Sequence, residues 1–470
     1  MKIGNPKNQS GELLGPLNSS TLVYGIDYDT TIATAADACK RVVLFGNTIM
    51  SVDNFSSMPA HNLRRCVMSD LASRTVAYYL DPEDSSRKEN GDTADLTGAD
   101  GDVMVEIPIT YWKVDHYTDE SGHAHVRYLV SASPFTGSKP HPFFYVSPGG
   151  DSCRTQYVGA FRSVLCDSAG AVKVQTEDAT PAVYASGDTF RSIAGYRPAA
   201  NISRTNFRAG SVANGGTNVN SLFHQWLLLM MAIDGCTFDT QTGISVGYSN
   251  LSAYNYAAVR KTGRTAGFGN GTGEVLADDA NSAGEDYDLL SMNSGLTMWN
   301  STAQGDPSKK VVQFSWRGIE DPFGSMWCFE DGIQKYQNGT ADDYSQSGYW
   351  ITSNTSKYSE LDSDKGAGEE TGSFPESGYT GENLVWVHHA FPKSSGYVSQ
   401  FNVKSLFPET LGGSSTSGLA DSYYGESGGY PRAVARGGEM SKGKEVGAGF
   451  ISVTVQISSG SAVIGVRISA

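Results

Sequence analysis

Hydrophobic positions along the chain predict one clear helix. Between Ser221 and Asp234, apolar side chains recur with the i, i+4, i+7 spacing that lies on one face of a helix. These side chains are Leu222, Trp226, Leu229, Met230 and Ile233. Asn220 or Ser221 is suited to cap the N-terminus, and Gly235 follows the end. We therefore expect a helix whose apolar stripe packs into a core.

Elsewhere the pattern indicates short strands. The run from Val103 to Val114 is rich in β-branched and aromatic residues, 119–122 has turn composition, and Ala124 to Ser131 returns, which together predict a hairpin. From about residue 236 onward, short apolar runs alternate with stretches of Gly, Ser, Asn and Asp. We predict three long loops, at 266–288, 338–382 and 412–430. Loops of this length are usually functional or disordered.

Composition agrees with a loop-rich β protein. The 470 residues include 54 Gly and 24 Tyr, and only 18% of residues are charged, below the usual quarter. At roughly 150 residues per domain, the length suggests about three domains. A polar loop at 81–100 precedes the hairpin, and we place a boundary near residue 100 that separates residues 1–100 from residues 101–470.

Charge and hydropathy restrict the partners. The formal net charge is −15, which repels a phosphate backbone, so we expect no nucleic-acid partner. The most apolar run, Trp226 to Ile233, is far shorter than the ~20 residues of a membrane span, so no membrane insertion is expected. The first residues lack the pattern of a secretory signal, which predicts synthesis in the cytoplasm. Six cysteines without a close pair predict free thiols.

The sequence contains few candidates for catalytic or metal-ligating residues. Ser427 lies in Gly425–Gly429, which resembles a nucleophile elbow, but no His follows it. We assign no catalytic residue and expect no cofactor. His123 and His125 lie on one strand face, because side chains alternate along a strand, and two imidazoles suit zinc or iron. Exposed histidines beside a turn are the alternative, so His123 and His125 stay candidates without an assigned metal.

Two Gly/aromatic motifs carry a resemblance to a known family. The first runs from Trp316 to Gly332, and the second lies within 430–470 and includes Arg436-Gly437-Gly438, Gly447–Phe450 and Ile464–Ile468. They resemble the central and closing patterns of the C-type-lectin-like domain in phage tail proteins and in variable proteins diversified by retroelements. The resemblance implies an α+β, β-rich C-type-lectin-like fold with long loop insertions at 101–470, preceded by a small N-terminal region for attachment or oligomerisation.

The same resemblance implies a function. It indicates a phage tail receptor-binding protein, a tail fibre or tip adhesin of the virion, whose partners are a bacterial surface receptor and other tail proteins. A homotrimer is expected, since several weak sites that engage together gain avidity. A retroelement-diversified bacterial surface adhesin is the alternative. An oxidase of the formylglycine-generating type is a third, but those enzymes hold copper with a C-terminal cysteine pair, and residues 329–470 contain no Cys.

The resemblance places the receptor-binding surface in the C-terminal stretch. Tyrosines among Gly and Ser have the composition of an antibody paratope, where Tyr supplies rigid contact area. The sugar-binding triplets that hold calcium in classical lectins do not occur, so no metal is implied at this surface. The candidate receptor-binding residues are Tyr423, Tyr424, Ser427, Tyr430, Glu439, Met440, Lys442, Lys444, Glu445, Ser452, Thr454 and Gln456.

Overall fold

The computed structural model describes most of the chain. The described residues are 21–45, 48–49, 55, 57–145, 153–173, 180–249, 256–276, 289–290, 312–336, 347–363, 365–369, 384–388, 392, 394–402, 405–425 and 431–470. The α-helices in these ranges are α1 (Arg204–Ala213), α2 (Ser221–Gly235) and α3 (Thr240–Gly243), and short 3-10 helices occur between the other elements. The strands, in chain order, are β1 (Leu22–Asp29), β2 (Cys39–Phe45), β3 (Thr48–Ile49), β4 (Arg64–Asp70), β5 (Thr75–Tyr79), β6 (Asp102–Pro108), β7 (Tyr111–Thr118), β8 (Ala124–Ser131), β9 (Lys139–Pro140), β10 (Thr155–Gly159), β11 (Val164–Cys166), β12 (Thr189–Arg191), β13 (Thr217–Asn218), β14 (Gly273–Leu276), β15 (Leu289–Leu290), β16 (Val312–Trp316), β17 (Ile319–Glu320), β18 (Trp327–Phe329), β19 (Ile333–Tyr336), β20 (Gly348–Ile351), β21 (Val385–His388), β22 (Gly396–Phe401), β23 (Pro408–Leu411), β24 (Ser422–Tyr424), β25 (Arg432–Arg436), β26 (Ile451–Gln456), β27 (Ile464–Gly465) and β28 (Ile468–Ser469).

The protein is β-rich with few helices, and the predicted α+β class is confirmed. Strands from distant parts of the chain share sheets, since β28 pairs with β10 and β13. The largest sheet is mixed and runs β21-β20-β19-β25-β26-β24-β22-β23, with β18 paired to β25 and β27 paired to β18. The six cysteines are free thiols, as predicted. Within the described ranges, every helix is too short or too polar to span a bilayer.

The predicted hairpin forms, but its first strand is shorter than expected. β7 and β8 pair antiparallel around the turn at 119–122, with Tyr117 opposite His125. The predicted strand from Val103 to Val114 is divided at Pro108 into β6 and β7, which belong to different sheets. Proline has no N–H to donate to a ladder, so a strand often ends at such a position.

Strand β1 is buried on both faces. Its sheet has the order β3-β2-β1-β8-β7-β9, in which β1 and β8 are the two central strands. Tyr24, Ile26 and Tyr28 face the main core, whereas Val23 packs in a second cluster with Leu129. Alternate side chains of a strand point to opposite faces, so β1 joins two apolar layers.

Helix α2 is the centre of the main core, and it is buried all round. Asn220 caps it by accepting a hydrogen bond from Phe223 N at 2.9 Å, which confirms the predicted N-cap. Every residue from Ser221 to Asp234 is buried, so the predicted one-sided stripe understates the burial. Gly235 belongs to the helix, and Cys236 takes the left-handed conformation that ends it, with φ 57°.

The predicted long loops contain secondary structure. β14, β20 and β24 lie inside 266–288, 338–382 and 412–430, respectively, so these segments are not loops throughout. Short strands flanked by Gly and Ser give a weak period in sequence, which is why the pattern missed them. The stretches 277–288, 338–346, 370–382 and 426–430 lie outside the described residues.

Strands from the two sides of residue 100 are joined by hydrogen bonds. β1 pairs with β8, and β4 pairs with β6. One hydrophobic cluster includes side chains from Tyr24 to Ile468. The division of roles between residues 1–100 and 101–470 stays a prediction, and residues 1–20 lie outside the described part of the chain.

Candidate functional site

The two sequence motifs meet in one sheet. β18, from the first motif, pairs antiparallel with β25 through Cys328 and Arg436, and it pairs parallel with β27 through Trp327 and Ile464. Residues more than 100 positions apart are therefore neighbours. This pairing positions the strands from which the C-terminal loop at 437–450 extends.

Buried arginines from the second motif hold the first motif in place. Arg467 donates to the backbone carbonyls of Glu320 and Gly159, and its side chain is buried. Arg436 donates through Nε to the buried carboxylate of Glu330. Hydrogen bonds from a buried guanidinium satisfy polar groups that would otherwise be costly to desolvate. These motif residues are structural and have no surface to offer a ligand.

The Gly-Gly pair after Arg436 is required by close approach. Gly438 has φ +75°, and a Cβ there would lie 2.8 Å from both Phe450 and Val446. Gly437 accepts from Gly324 N at 2.8 Å through its carbonyl. A larger side chain at residue 438 would be strained in this backbone conformation and would push the following loop away from Phe450.

Trp316 and Arg317 join the first motif to the end of α2. Trp316 Nε1 donates to Asp234 Oδ2 at 3.0 Å, and the Arg317 guanidinium donates to both oxygens of the same carboxylate. His61 Nε2 lies 3.0 Å from Asp234 Oδ1. Burial raises the pKa of Asp234, but the His61 hydrogen bond and the Arg317 charge outweigh it, so the net shift is downward. This cluster therefore has a structural role, because it holds the start of the first motif against the C-terminal end of α2.

An accessible aromatic and charged patch lies beside the motif strands. It consists of Tyr424, Lys442, Lys444 and Glu445, which we call the Tyr424 patch. Tyr424 is half-buried and donates through its hydroxyl to Glu445 Oε2 at 2.5 Å. The Lys442 ammonium lies 5.0 Å from the centroid of the Tyr424 ring, within cation–π range. Lys444 is exposed.

The patch has a rigid aromatic support. The ring centroid of Phe450 lies 4.9 Å from that of Tyr424, in an edge-to-face arrangement, and Trp327 lies 6.1 Å away. Burial raises the pKa of Tyr424, and the hydrogen bond to Glu445 raises it further, so the phenol stays protonated at neutral pH. The ring therefore offers a fixed apolar face with a polar edge.

The candidate receptor-binding residues divide by burial. Lys444 and Gln456 are exposed, while Tyr424, Lys442, Glu445 and Thr454 are half-buried. The side chains that are buried, and so have no contact area for a receptor in this structure, are Tyr423, Glu439, Met440 and Ser452. Ser427 and Tyr430 lie outside the described residues.

Ser452, Thr454 and Gln456 all lie on β26, but the strand carries Gln456 away from the Tyr424 patch. The hydroxyls of Ser452 and Thr454 lie 3.0 Å apart, which agrees with a shared face. Gln456 lies opposite Arg432, at the other end of the strand from the Tyr424 patch, because Tyr424 is opposite Ser452.

Sequence reasoning missed one neighbour of the patch. Tyr397 on β22 is half-buried, and burial followed by the charge of Glu445 raises its pKa. β22 joins β24 by tertiary pairing, with Tyr397 opposite Ser422. No local pattern in sequence indicates that contact.

The two candidate histidines lie elsewhere, at the turn between β7 and β8. His123 Nδ1 is 3.0 Å from Asp29 Oδ2, and His125 Nδ1 is 2.8 Å from Asp27 Oδ1. Among the described residues, the one group of His, Cys, Asp and Glu arranged closely enough to hold a metal is Asp29, His123 and His125. The predicted shared face is thus confirmed, and it brings in two aspartates from β1.

No family model matches the sequence, and no curated protein matches it significantly.

Proposed function

We propose that this chain is a phage tail receptor-binding protein whose C-type-lectin-like domain contacts a bacterial surface receptor through the Tyr424 patch. The observation that carries the proposal is that the two motifs on which the resemblance depends pair in one sheet. Strand β18 of the first motif lies between β25 and β27 of the second. Residues 437–450 leave that pairing and return to it, and they supply Lys442, Lys444 and Glu445 to the surface. Binding residues are commonly on loops that a rigid scaffold positions.

The chemistry of the patch suits a receptor that is polar and has an apolar face, such as a glycan or a loop of a surface protein. Tyr424 is held by Phe450 and Trp327, so little conformational entropy is lost when its ring is covered. Lys444 and Lys442 supply cations, and Glu445 supplies an acceptor. Anchors of this kind often carry most of the binding energy of an interface.

A cell-binding experiment tests the proposal. The purified full chain, fluorescently labelled, is mixed with a panel of bacterial strains, and bound label is measured by flow cytometry. We expect saturable binding to a subset of strains. Tyr424→Ala and Lys444→Glu should each weaken that binding by about tenfold or more, the loss expected for an anchor residue.

The matched controls are Tyr196→Ala and Lys139→Glu, which change exposed residues outside the patch. They should leave binding unchanged. Binding to no strain would overturn the proposed function. Retained binding by both patch variants, with folding confirmed by circular dichroism, would overturn the assignment of the patch.

A further inference from the structure

A mixed cluster of imidazoles and carboxylates lies where β1 ends against β8. Asp29 is directly opposite His125 in the register of these strands. His123 immediately precedes β8, and Asp119 begins the turn that connects β7 to it. The ligand atoms of Asp29, His123 and His125 lie within 4.8 Å of one another. The turn thus gathers side chains from two separate parts of the chain.

The spacing of the ligand atoms fits a small cation. Two ligand atoms on a tetrahedral Zn²⁺ at 2.0–2.1 Å are about 3.3 Å apart. His125 Nε2 lies 3.7 Å from Asp29 Oδ2 and 3.6 Å from Asp119 Oδ2, and His123 Nδ1 lies 3.0 Å from Asp29 Oδ2. All three separations are within a few tenths of an ångström of that value.

Each carboxylate presents one oxygen to the cluster. Asp29 Oδ1 accepts from the backbone N and the hydroxyl of Thr31, which leaves Oδ2 directed at the histidines. Asp119 Oδ1 accepts from the backbone N of Ser121 and of His123, which leaves its Oδ2 facing His125. The local hydrogen bonds therefore orient both carboxylates before any ligand arrives.

His125 is oriented by a second layer of residues. Its Nδ1 lies 2.8 Å from Asp27 Oδ1, and its ring stacks on Tyr117 with 4.8 Å between centroids. Asp27 is in turn paired with Arg127. A carboxylate on the far nitrogen of a histidine fixes the tautomer and raises the basicity of the ligating nitrogen, as in known metal sites.

The remaining nitrogen of His125, Nε2, makes no hydrogen bond. It is buried in a side chain that is 11% exposed, and the carboxylate oxygens of Asp29 and Asp119 lie 3.7 and 3.6 Å away, beyond hydrogen-bond distance. A buried polar atom without a partner is costly unless a ligand satisfies it. This nitrogen faces Oδ2 of Asp29 and Oδ2 of Asp119, so the unsatisfied atom lies within the cluster.

We propose that Asp29, His123 and His125 bind one Zn²⁺. The carboxylate of Asp119, whose Oδ2 lies 3.6 Å from His125 Nε2, adds a second negative charge beside the ion, and Arg127 already pairs with Asp27. A mixed nitrogen and oxygen set suits Zn²⁺, whereas Ca²⁺ and Mg²⁺ prefer oxygen ligands alone. The ion would join β1 to the β7–β8 turn and lock that end of the sheet.

Calorimetric titration with ZnCl₂ tests the site on the full chain after dialysis against a chelator. We expect one Zn²⁺ per chain and a higher thermal midpoint in its presence. His123→Ala, which changes a side chain 48% exposed and so need not affect folding, should weaken binding by more than about 100-fold, above the range for second-layer residues. His125→Ala should abolish the stoichiometric uptake.

His116→Ala is the matched control. His116 is on β7 beside Tyr117, so its side chain points to the other face of the sheet, and Zn²⁺ affinity should not change. Three results would each overturn the proposal. They are failure of the unmodified chain to bind Zn²⁺, tighter binding of Ca²⁺ than of Zn²⁺ in a parallel titration, and equal Zn²⁺ affinity in the His123 variant and the control. Cell binding through the Tyr424 patch is independent of all three results.

Discussion

At the scale of single residues, Asp321 shows how the first motif uses buried charge. It follows β17 in the left-handed region, with φ 43°, and its side chain is buried. Oδ2 accepts from Gln313 Nε2 at 2.9 Å, and Oδ1 accepts from Phe314 N at 3.2 Å. Burial raises the pKa of Asp321 to about 7, and the adjacent carboxylate of Glu320 contributes in the same direction.

This shift predicts a pH-dependent stability. Because the folded-state pKa is raised above the unfolded value of about 3.9, the contribution of Asp321 is fully present below that value and is lost as the pH rises through about 7. Between these two pKa values the folded state binds up to one proton more than the unfolded state. The free energy of unfolding therefore falls by up to about 1.4 kcal/mol per pH unit as the pH rises. Asp321→Asn should flatten the dependence, as measured by urea unfolding from pH 4 to 8.

Asp37→Asn is the control, since Asp37 is exposed. It should leave the slope of unfolding free energy against pH unchanged. A slope that is the same in the unmodified chain and in the Asp321 variant would contradict the shifted pKa.

At the scale of elements, α2 holds the sheets together. Trp226 Nε1 donates to Thr110 Oγ1 at 3.2 Å, and the Trp226 ring lies 6.4 Å from that of Trp316. The helix thus contacts both the segment after β6 and the first motif. Its apolar stripe was evident from the sequence, whereas burial of its other faces depends on strands far along the chain.

Truncation inside α2 should be costly. Leu229 is fully buried, and Leu229→Ala should lower the free energy of unfolding by about 2–5 kcal/mol, through lost burial and a cavity. Val212→Ala on α1 is the control, because Val212 is 58% exposed and its change should stay within about 0.5 kcal/mol. Chemical denaturation measures both. Equal effects would contradict the central position of α2.

At the scale of the whole molecule, the resemblance to phage tail proteins predicts a homotrimer. Three copies of a weak receptor site can gain about 10²–10⁴ in avidity when they engage together. Size-exclusion chromatography with light scattering should give three times the mass of one chain. A monomer at micromolar concentration would contradict this prediction. The full chain is the sample to use, since strands on both sides of residue 100 share sheets.

The sequence predicts many residues of the candidate surface, but it does not predict which of their side chains are accessible. Tyr423 and Tyr424 are consecutive on β24, so they point to opposite faces, and only the tertiary structure decides that Tyr423 is buried and Tyr424 half-buried. In the same way, Glu439 and Met440 are buried although they follow the Gly-Gly pair. Composition identifies a loop, whereas burial depends on what packs on it.

Local sequence patterns are enough to predict the β-rich class, the helix α2 with a cap at Asn220 or Ser221, the hairpin that ends in β8, and the shared face of His123 and His125. Each of these depends on residues within about one element of each other, where periodicity and turn chemistry act. Two contacts could not be predicted from any local pattern: Asp29 lies against the histidines, and β25 and β27 flank β18. Such pairings join distant segments, and they are set by the burial of whole strands, which no local pattern records.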